Sequence, residues 1–221
     1  MQLLNRRRLM GEKLPYDYEV EWIGRNNSSQ YIDTGVKLTA QSKYEIVIPE
    51  FTHGTQYGSN PQIGGIFGLR NGVGVGEFYL VALGTKIEDY FLRYAYGTTS
   101  NRFTAFEKDE HLTGKQLVAK CDGNKVYLNG VLRATLQSAQ INTGNITASL
   151  FAINAEGNGR NFWSTDHLLK ISSCKIWDEN WNLQRDFIPV VKNEKGYMYD
   201  KVEGKLYGNL GNGDFTIGER I

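Results

Sequence analysis

The stretch KQLVAKCDGNKVYLNGVLRATL, residues 115–136, constrains the fold more than any other part of the chain. Short runs of alternating apolar and polar residues are interrupted twice by turn signals, Asp122-Gly123-Asn124 and Asn129-Gly130. Such pairs favour the tight primed turns whose twist matches that of antiparallel strands, so the stretch reads as one hairpin continued into another. A helix needs apolar residues at spacings of three and four, and that period is missing here.

The same beat runs through most of the sequence. YEVEWIG and QYIDTGV alternate, the second turning at Gly35, and SKYEIVIPEF sets Tyr44, Ile46 and Ile48 on one face with Pro49 at the strand's end. Further strands are expected in GIFGLR, GEFYLVALG, DYFLRYAYG, NRFTAFEKDE, ITASLFAINAE, HLLKISSCKIWD, QRDFIPVV, GYMYDKVEGKLYGN and GDFTIG. TKIEDYFLRY offers a helical alternative, but its Tyr90, Leu92 and Tyr94 fit a period of two equally well. About a dozen short strands in succession point to an all-β antiparallel sandwich or barrel, since parallel α/β folds alternate strands with helices of roughly 10–15 residues. The 25 glycines and 13 tyrosines among 221 residues suit turns and half-buried pleated surfaces.

Residues 1–16 read as a separate N-terminal arm preceding one domain at 17–221. Arg6, Arg7, Arg8 and Lys13 cluster there beside Leu3, Leu4, Leu9 and Met10, and Pro15 ends the stretch. The arm is expected either to hang free or to order on a partner, with Arg6, Arg7, Arg8, Leu9 and Met10 as its contacts. With 25 basic against 24 acidic residues the net charge is +1, which gives no footprint for nucleic acid. No run approaches the roughly 20 apolar residues of a membrane span. Taking Met1 as the native start, the arginines are followed by no apolar leader segment, so secretion by the ordinary route is not expected. Cys121 and Cys174 match no metal spacing and are expected as buried free thiols.

LVAKCDGNKVYLNGVL resembles the central hairpin of the laminin G-like and concanavalin A-like lectin/glucanase superfamily, at Val118, Ala119, Asp122, Gly123, Val126, Tyr127, Asn129 and Gly130. QYIDTGVKLTAQSKYEI resembles the opening strands, and KIWDENWNLQRDFIPVVKNEKGYMYDKVEGKLYGNLGNGDFTIG the closing strands, of a subgroup seen in gut Bacteroides proteins and their bacteriophages. The resemblance covers about residues 18–218 and implies a concanavalin A-like jelly-roll β-sandwich. It implies a non-enzymatic bacteriophage virion structural protein, a decoration or fibre-associated module made in the host cytoplasm. The arm would hold capsid, tail or fibre proteins, and the domain would serve host attachment through cell-surface or mucosal glycans. The alternative is a secreted or surface carbohydrate-binding module of a gut bacterium, and a glycoside hydrolase stands third. Calcium, frequent in the superfamily, would draw on Asp33, Asp122 and Asp166. A homo-oligomer is left open.

Laminarinase-type members carry E-x-D-x-E on one strand. FEKDEH comes nearest, with Glu107, Asp109 and His111 in phase, but Lys108 would put an ammonium in the core and Glu110 falls on the wrong face. No catalytic residue is therefore assigned. His53, His111 and His167 lack metal-like spacing, and GVGVG at 72–76 reads as a hairpin turn. Sugar recognition asks for aromatic faces and planar polar groups. The loops THGTQYGSNPQIGG and AEGNGRNFWSTD supply Tyr57 and Asn60, then Asn158, Arg160, Asn161 and Trp163. The Tyr90, Leu92, Tyr94, Tyr96 stripe is either a sugar platform or sandwich core. Trp177 and Trp181, flanking a turn, are expected to pack rather than to bind.

Overall fold

A computed structural model describes residues 14–51, 62–71, 76–84, 91–97, 101–106, 112–141, 144–155 and 168–221. Its strands in chain order are β1 (Tyr18–Glu19), β2 (Ile23–Arg25), β3 (Ile32–Asp33), β4 (Lys43–Ile48), β5 (Gln62–Arg70), β6 (Glu77–Gly84), β7 (Phe91–Gly97), β8 (Arg102–Phe106), β9 (Leu117–Asp122) and β10 (Lys125–Leu128). There follow β11 (Val131–Thr135), β12 (Ser149–Leu150), β13 (Asn154–Ala155), β14 (Leu169–Ile171), β15 (Ser173–Trp177), β16 (Leu183–Lys192), β17 (Lys195–Asp200), β18 (Lys205–Tyr207) and β19 (Thr216–Ile217). No helix occurs among the described residues, and hence none long and apolar enough to cross a membrane.

Two sheets form an all-β sandwich of jelly-roll type. The first runs β11-β10-β9-β4-β15-β16-β17-β18, with β1 added to the far half of β16; the second runs β3-β12-β5-β6-β7-β8. A small third sheet, β14-β2-β19, lies apart from both ladders. The inward faces interdigitate as alternation requires. Tyr44, Ile46 and Ile48 of β4 are buried against the second sheet, with the Tyr44 ring 4.8 Å from Phe67 and 6.1 Å from Phe78. Leu92, Tyr94 and Tyr96 are buried in the same core, which removes that stripe from the sugar-platform candidates; Tyr90 lies outside the described residues. Their hydroxyls are satisfied by backbone, Tyr94 donating to Gly123 O at 3.0 Å and Tyr96 to Ala40 O at 2.7 Å.

The double hairpin folds as its turn residues dictate. Lys125 opposes Asp122 across Gly123 (φ 58°) and Asn124, the pattern of a II′ turn with glycine first. Leu128 opposes Val131 across Asn129 (φ 50°) and Gly130 (φ 80°), both left-handed as a I′ turn needs. Asn129 also accepts the Val118 N–H through its side chain at 2.8 Å, tying the second turn to β9. β5 and β6 pair antiparallel with Arg70 opposite Glu77, while residues 72–75 of GVGVG lie outside the described residues. On that outer face the buried Glu77 carboxylate takes Arg102 Nη2 through both oxygens, at 3.1 and 2.9 Å.

GYMYDKVEGKLYGN folds as the hairpin β17–β18, and three further expected strands divide between different ladders. ITASLFAINAE divides at Phe151, whose φ of 66° reverses the chain, so β12 pairs antiparallel with β5 while β13 pairs parallel with it. This is the single parallel ladder in an otherwise antiparallel set among the described residues. HLLKISSCKIWD divides at Ser172, sending β14 to the small sheet and β15 to the large one. YEVEWIG likewise serves two sheets, as β1 and β2. β5 begins at Gln62, three residues before the expected GIFGLR.

Near the first described residues, Tyr16 is buried on the outer face of the large sheet, its ring 5.0 Å from Tyr199. Asp17 N donates to Val191 O at 2.8 Å, and Asp17 Oδ2 accepts the Asn193 N–H. Arg6, Arg7, Arg8, Leu9 and Met10 lie outside the described residues. Cys121 and Cys174 are free and buried.

Candidate functional site

At the end of the sandwich where β15 turns into β16, the sequence DENWN forms a turn of four polar residues and a tryptophan. Asp178 organises the turn. Its Oδ1 accepts the backbone N–H of Asn180 (2.8 Å) and Asn182 (2.9 Å), and its Oδ2 accepts Asn182 Nδ2 (2.8 Å). The Asn182 side chain above all, then these backbone donors and the nearby Lys43 ammonium, holds the Asp178 carboxyl below the usual range. Trp181 closes the turn with φ 65°, a left-handed conformation that a bulky residue rarely adopts.

Lys43, at the start of β4 and only 5% exposed, locks this turn to the sheet. Its ammonium donates to Gln41 O and Glu179 O, each at 3.0 Å, and lies 3.6 Å from Asp122 Oδ1. It also sits 5.0 Å from the Trp181 ring centroid, and Lys120 approaches the same ring at 5.5 Å. Trp177 meets Trp181 edge-on at 5.8 Å. Held in this way, Trp181 remains 49% exposed, a rigid aromatic plate on the surface.

A cleft of about 360 Å³ opens between the 35–42 segment and the β15–β16 turn, with Trp177 as its aromatic wall. Its walls include Lys37, Trp177, Asp178, Glu179, Gln184 and Arg185. Arg185 is fixed by Thr34 O at 2.9 Å, Gln184 O at 2.7 Å and Glu203 Oε1 at 2.9 Å. Its Nη2 stands over Gly35 (φ 68°), where an added Cβ would come within 3.3 Å. The glycine thus satisfies both the backbone and the guanidinium above it. Lys37 leans on Asn145 Oδ1 at 3.0 Å. The cleft falls within the range of small-ligand sites, with an aromatic wall, an amide, cations and a carboxylate all on ordered elements.

None of the five glycan-binding residues expected from the sequence, Tyr57, Asn60, Asn158, Arg160 and Trp163, lies among the described residues; nor do Asn161, Glu107, Asp109, His53, His111 and His167. Trp177 and Trp181 pack edge-on, as expected, with Trp177 half-buried, while Trp181 stays exposed beyond that packing. The signal was available, because a tryptophan placed between asparagines in a five-residue polar turn has no strand neighbours to bury it. For calcium, Asp33 Oδ1 accepts the Gly35 N–H at 2.9 Å and Asp122 faces Lys43, while Asp166 is outside the described residues. Among the described residues, no group of three or more His, Cys, Asp or Glu side chains gathers in metal-binding geometry.

No known family profile matches the sequence, and neither does any curated protein. Among solved structures, the chain is similar to a crystal structure from Bacteroides ovatus of a protein provisionally named carbohydrate binding. The two share 17% identity with a TM-score of 0.54 over 92% of this chain. This chain spans 62% of the length of that one. At that identity the likeness is one of fold, and the fold it supports is an all-β sandwich.

Proposed function

We propose that this protein binds carbohydrate at the Trp177–Trp181 cleft and does not transform it. The observation that carries the reading is the polar cleft lined by Trp177, Glu179, Gln184 and Arg185, on the same turn that holds the exposed Trp181 in a left-handed conformation against Lys43, Lys120 and Trp177. Backbone strain at a bulky residue persists where surrounding contacts over-determine it, and such sites cluster at ligand clamps. A flat indole suits the apolar face of a sugar ring, while Gln184, Glu179, Lys37 and Arg185 suit its hydroxyls. The Bacteroides ovatus protein of similar fold carries a carbohydrate-binding name, which supports the same class.

The non-enzymatic part of the proposal rests on how the cleft's carboxylates are used. Asp178 spends its lone pairs on the turn and stays ionised, so it makes a poor proton donor, and Glu179 alone does not form the carboxylate pair of a glycosidase. Of the settings compatible with glycan binding, a surface or secreted module of a gut bacterium accords with the Bacteroides neighbour. Attachment to a virion rests on the resemblance and on residues 1–16. Titration with short glucose-, mannose-, galactose- and xylose-based oligosaccharides tests the reading: binding should appear in the parent and fall at least about tenfold, or about 1.4 kcal/mol, in Trp181→Ala. A variant that keeps every parental site at unchanged affinity would overturn it.

A further inference from the structure

We infer that the protein carries a second sugar-binding cleft, lined by Lys195, Tyr197, Gly208, Asn209, Gly213 and Asp214, so that one chain holds glycan at two points. The inference rests on the glycan reading of the fold but on a different set of residues. This cleft measures about 430 Å³, in the same class as the first. It lies at the far end of β16 from Gln184 and Arg185, because Lys192 opposes Lys195 and Val190 opposes Tyr197. At about 3.3 Å per residue, the two clefts are roughly 20 Å apart along β16.

The loop forming its wall is built to a fixed shape. Asn209 is saturated by the backbone: its Oδ1 accepts Gly211 N (2.9 Å) and Tyr31 N (3.1 Å), and its Nδ2 donates to Gly213 O (2.7 Å) and Asn212 O (3.3 Å). Gln30 Nε2 donates to Asp214 O at 2.6 Å, stitching the loop to the 26–30 turn. Side chains are excluded along it. A Cβ at Gly211 would collide with Ser29 O, one at Gly208 would come within 2.9 Å of the Tyr197 ring, and Gly213 has φ 76°. What remains for a ligand is the half-buried Tyr197 ring, whose hydroxyl has no hydrogen bond among the described residues, and the Lys195–Asp214 pair. That pair spans 3.1 Å with side chains 55% and 59% exposed. An ion pair so hydrated contributes little to folding, so its ammonium donors and carboxylate oxygens exchange readily onto sugar hydroxyls. An aromatic face beside one donor group and one acceptor group, on a pre-organised loop, repeats the chemistry of the first cleft.

The experiment is calorimetric titration of the full chain with the same short oligosaccharides, using the parent, Trp181→Ala, and the double variant Lys195→Ala/Asp214→Ala, whose exposed positions leave the fold intact. The parent should bind two oligosaccharides per chain, each variant one, and on immobilised polysaccharide each variant should lose roughly 10²-fold in apparent affinity. One site in the parent, lost in Trp181→Ala and kept in the double variant, would overturn the second cleft and leave the first standing. One site lost in the double variant and kept in Trp181→Ala would support the second cleft and overturn the first. No binding of any oligosaccharide would overturn both.

Discussion

Single residues in this protein are placed against their own preferences where the surface needs them. Trp181 is the clearest instance, a β-disfavoured left-handed conformation filled by the bulkiest side chain. Replacing it by glycine relieves the strain and loses the packing on Trp177, so the unfolding free energy should change by no more than about 1 kcal/mol while glycan affinity falls at least about tenfold. Chemical denaturation beside a binding titration checks both. Asp178 carries the pH dependence of the turn. Its folded pKa is depressed, so its stabilising contribution is fully present above the ordinary aspartate value of 3.8 and is lost as pH falls through the lower folded value. Tryptophan fluorescence should therefore hold steady down to about pH 4 and change only below it. A transition centred above that range would contradict the hydrogen bonds assigned to this carboxylate. Burial pushes the Cys121 thiol up to about 12 and the Cys174 thiol higher still. Both should resist a thiol-reactive dye in the native state and label fully in denaturant, as thiols kept from forming thiolate do.

At the scale of elements, turns decide more than strands. Lys43 connects β4 to the β15–β16 turn through the Asp178 and Glu179 carbonyls and one indole face, so Lys43→Met should leave those carbonyls without their donor and Asp122 without its cation. The expected loss is roughly 1–3 kcal/mol of stability, together with weakened glycan binding; thermal unfolding and titration read the two. The double hairpin was fully legible, because Asp-Gly-Asn and Asn-Gly encode their backbone angles in the residues themselves. Breaks at Phe151 and Ser172 were not. Phe151 lies inside an apolar run that reads as one strand, and at Ser172 the alternation only changes phase; the interruption comes from which strands the neighbouring residues join. Arg25 shows the same limit. It ends β2 fully buried and donates to Phe151 O at 2.7 Å, 126 residues away, a partner that no window of sequence reveals.

For the whole molecule, alternation in the sequence predicted two packed sheets, and the Tyr44–Phe67–Phe78–Tyr94 cluster between them is where that prediction meets its packing. The site was far less legible. Glycine- and asparagine-rich loops drew attention to Tyr57, Asn60, Asn158, Arg160 and Trp163, whereas the cleft described here joins Lys37, Trp177 and Arg185 from segments well over a hundred residues apart. Only the topology, with β4, β15 and β16 side by side, brings them together. A scaffold held by long-range ladders should present such a cleft without rearranging. Nuclear magnetic resonance of the isotope-labelled protein during oligosaccharide titration tests this most directly, because protein and sugar signals are read in the same sample. The indole N–H signals of Trp177 and Trp181 should shift while the amides of core residues such as Ile46 and Cys121 stay in place and the sugar's anomeric signals show no cleavage. Indole signals that stay still for every sugar tried, core amides that move together, or new reducing-end signals from a hydrolysed ligand would contradict the account.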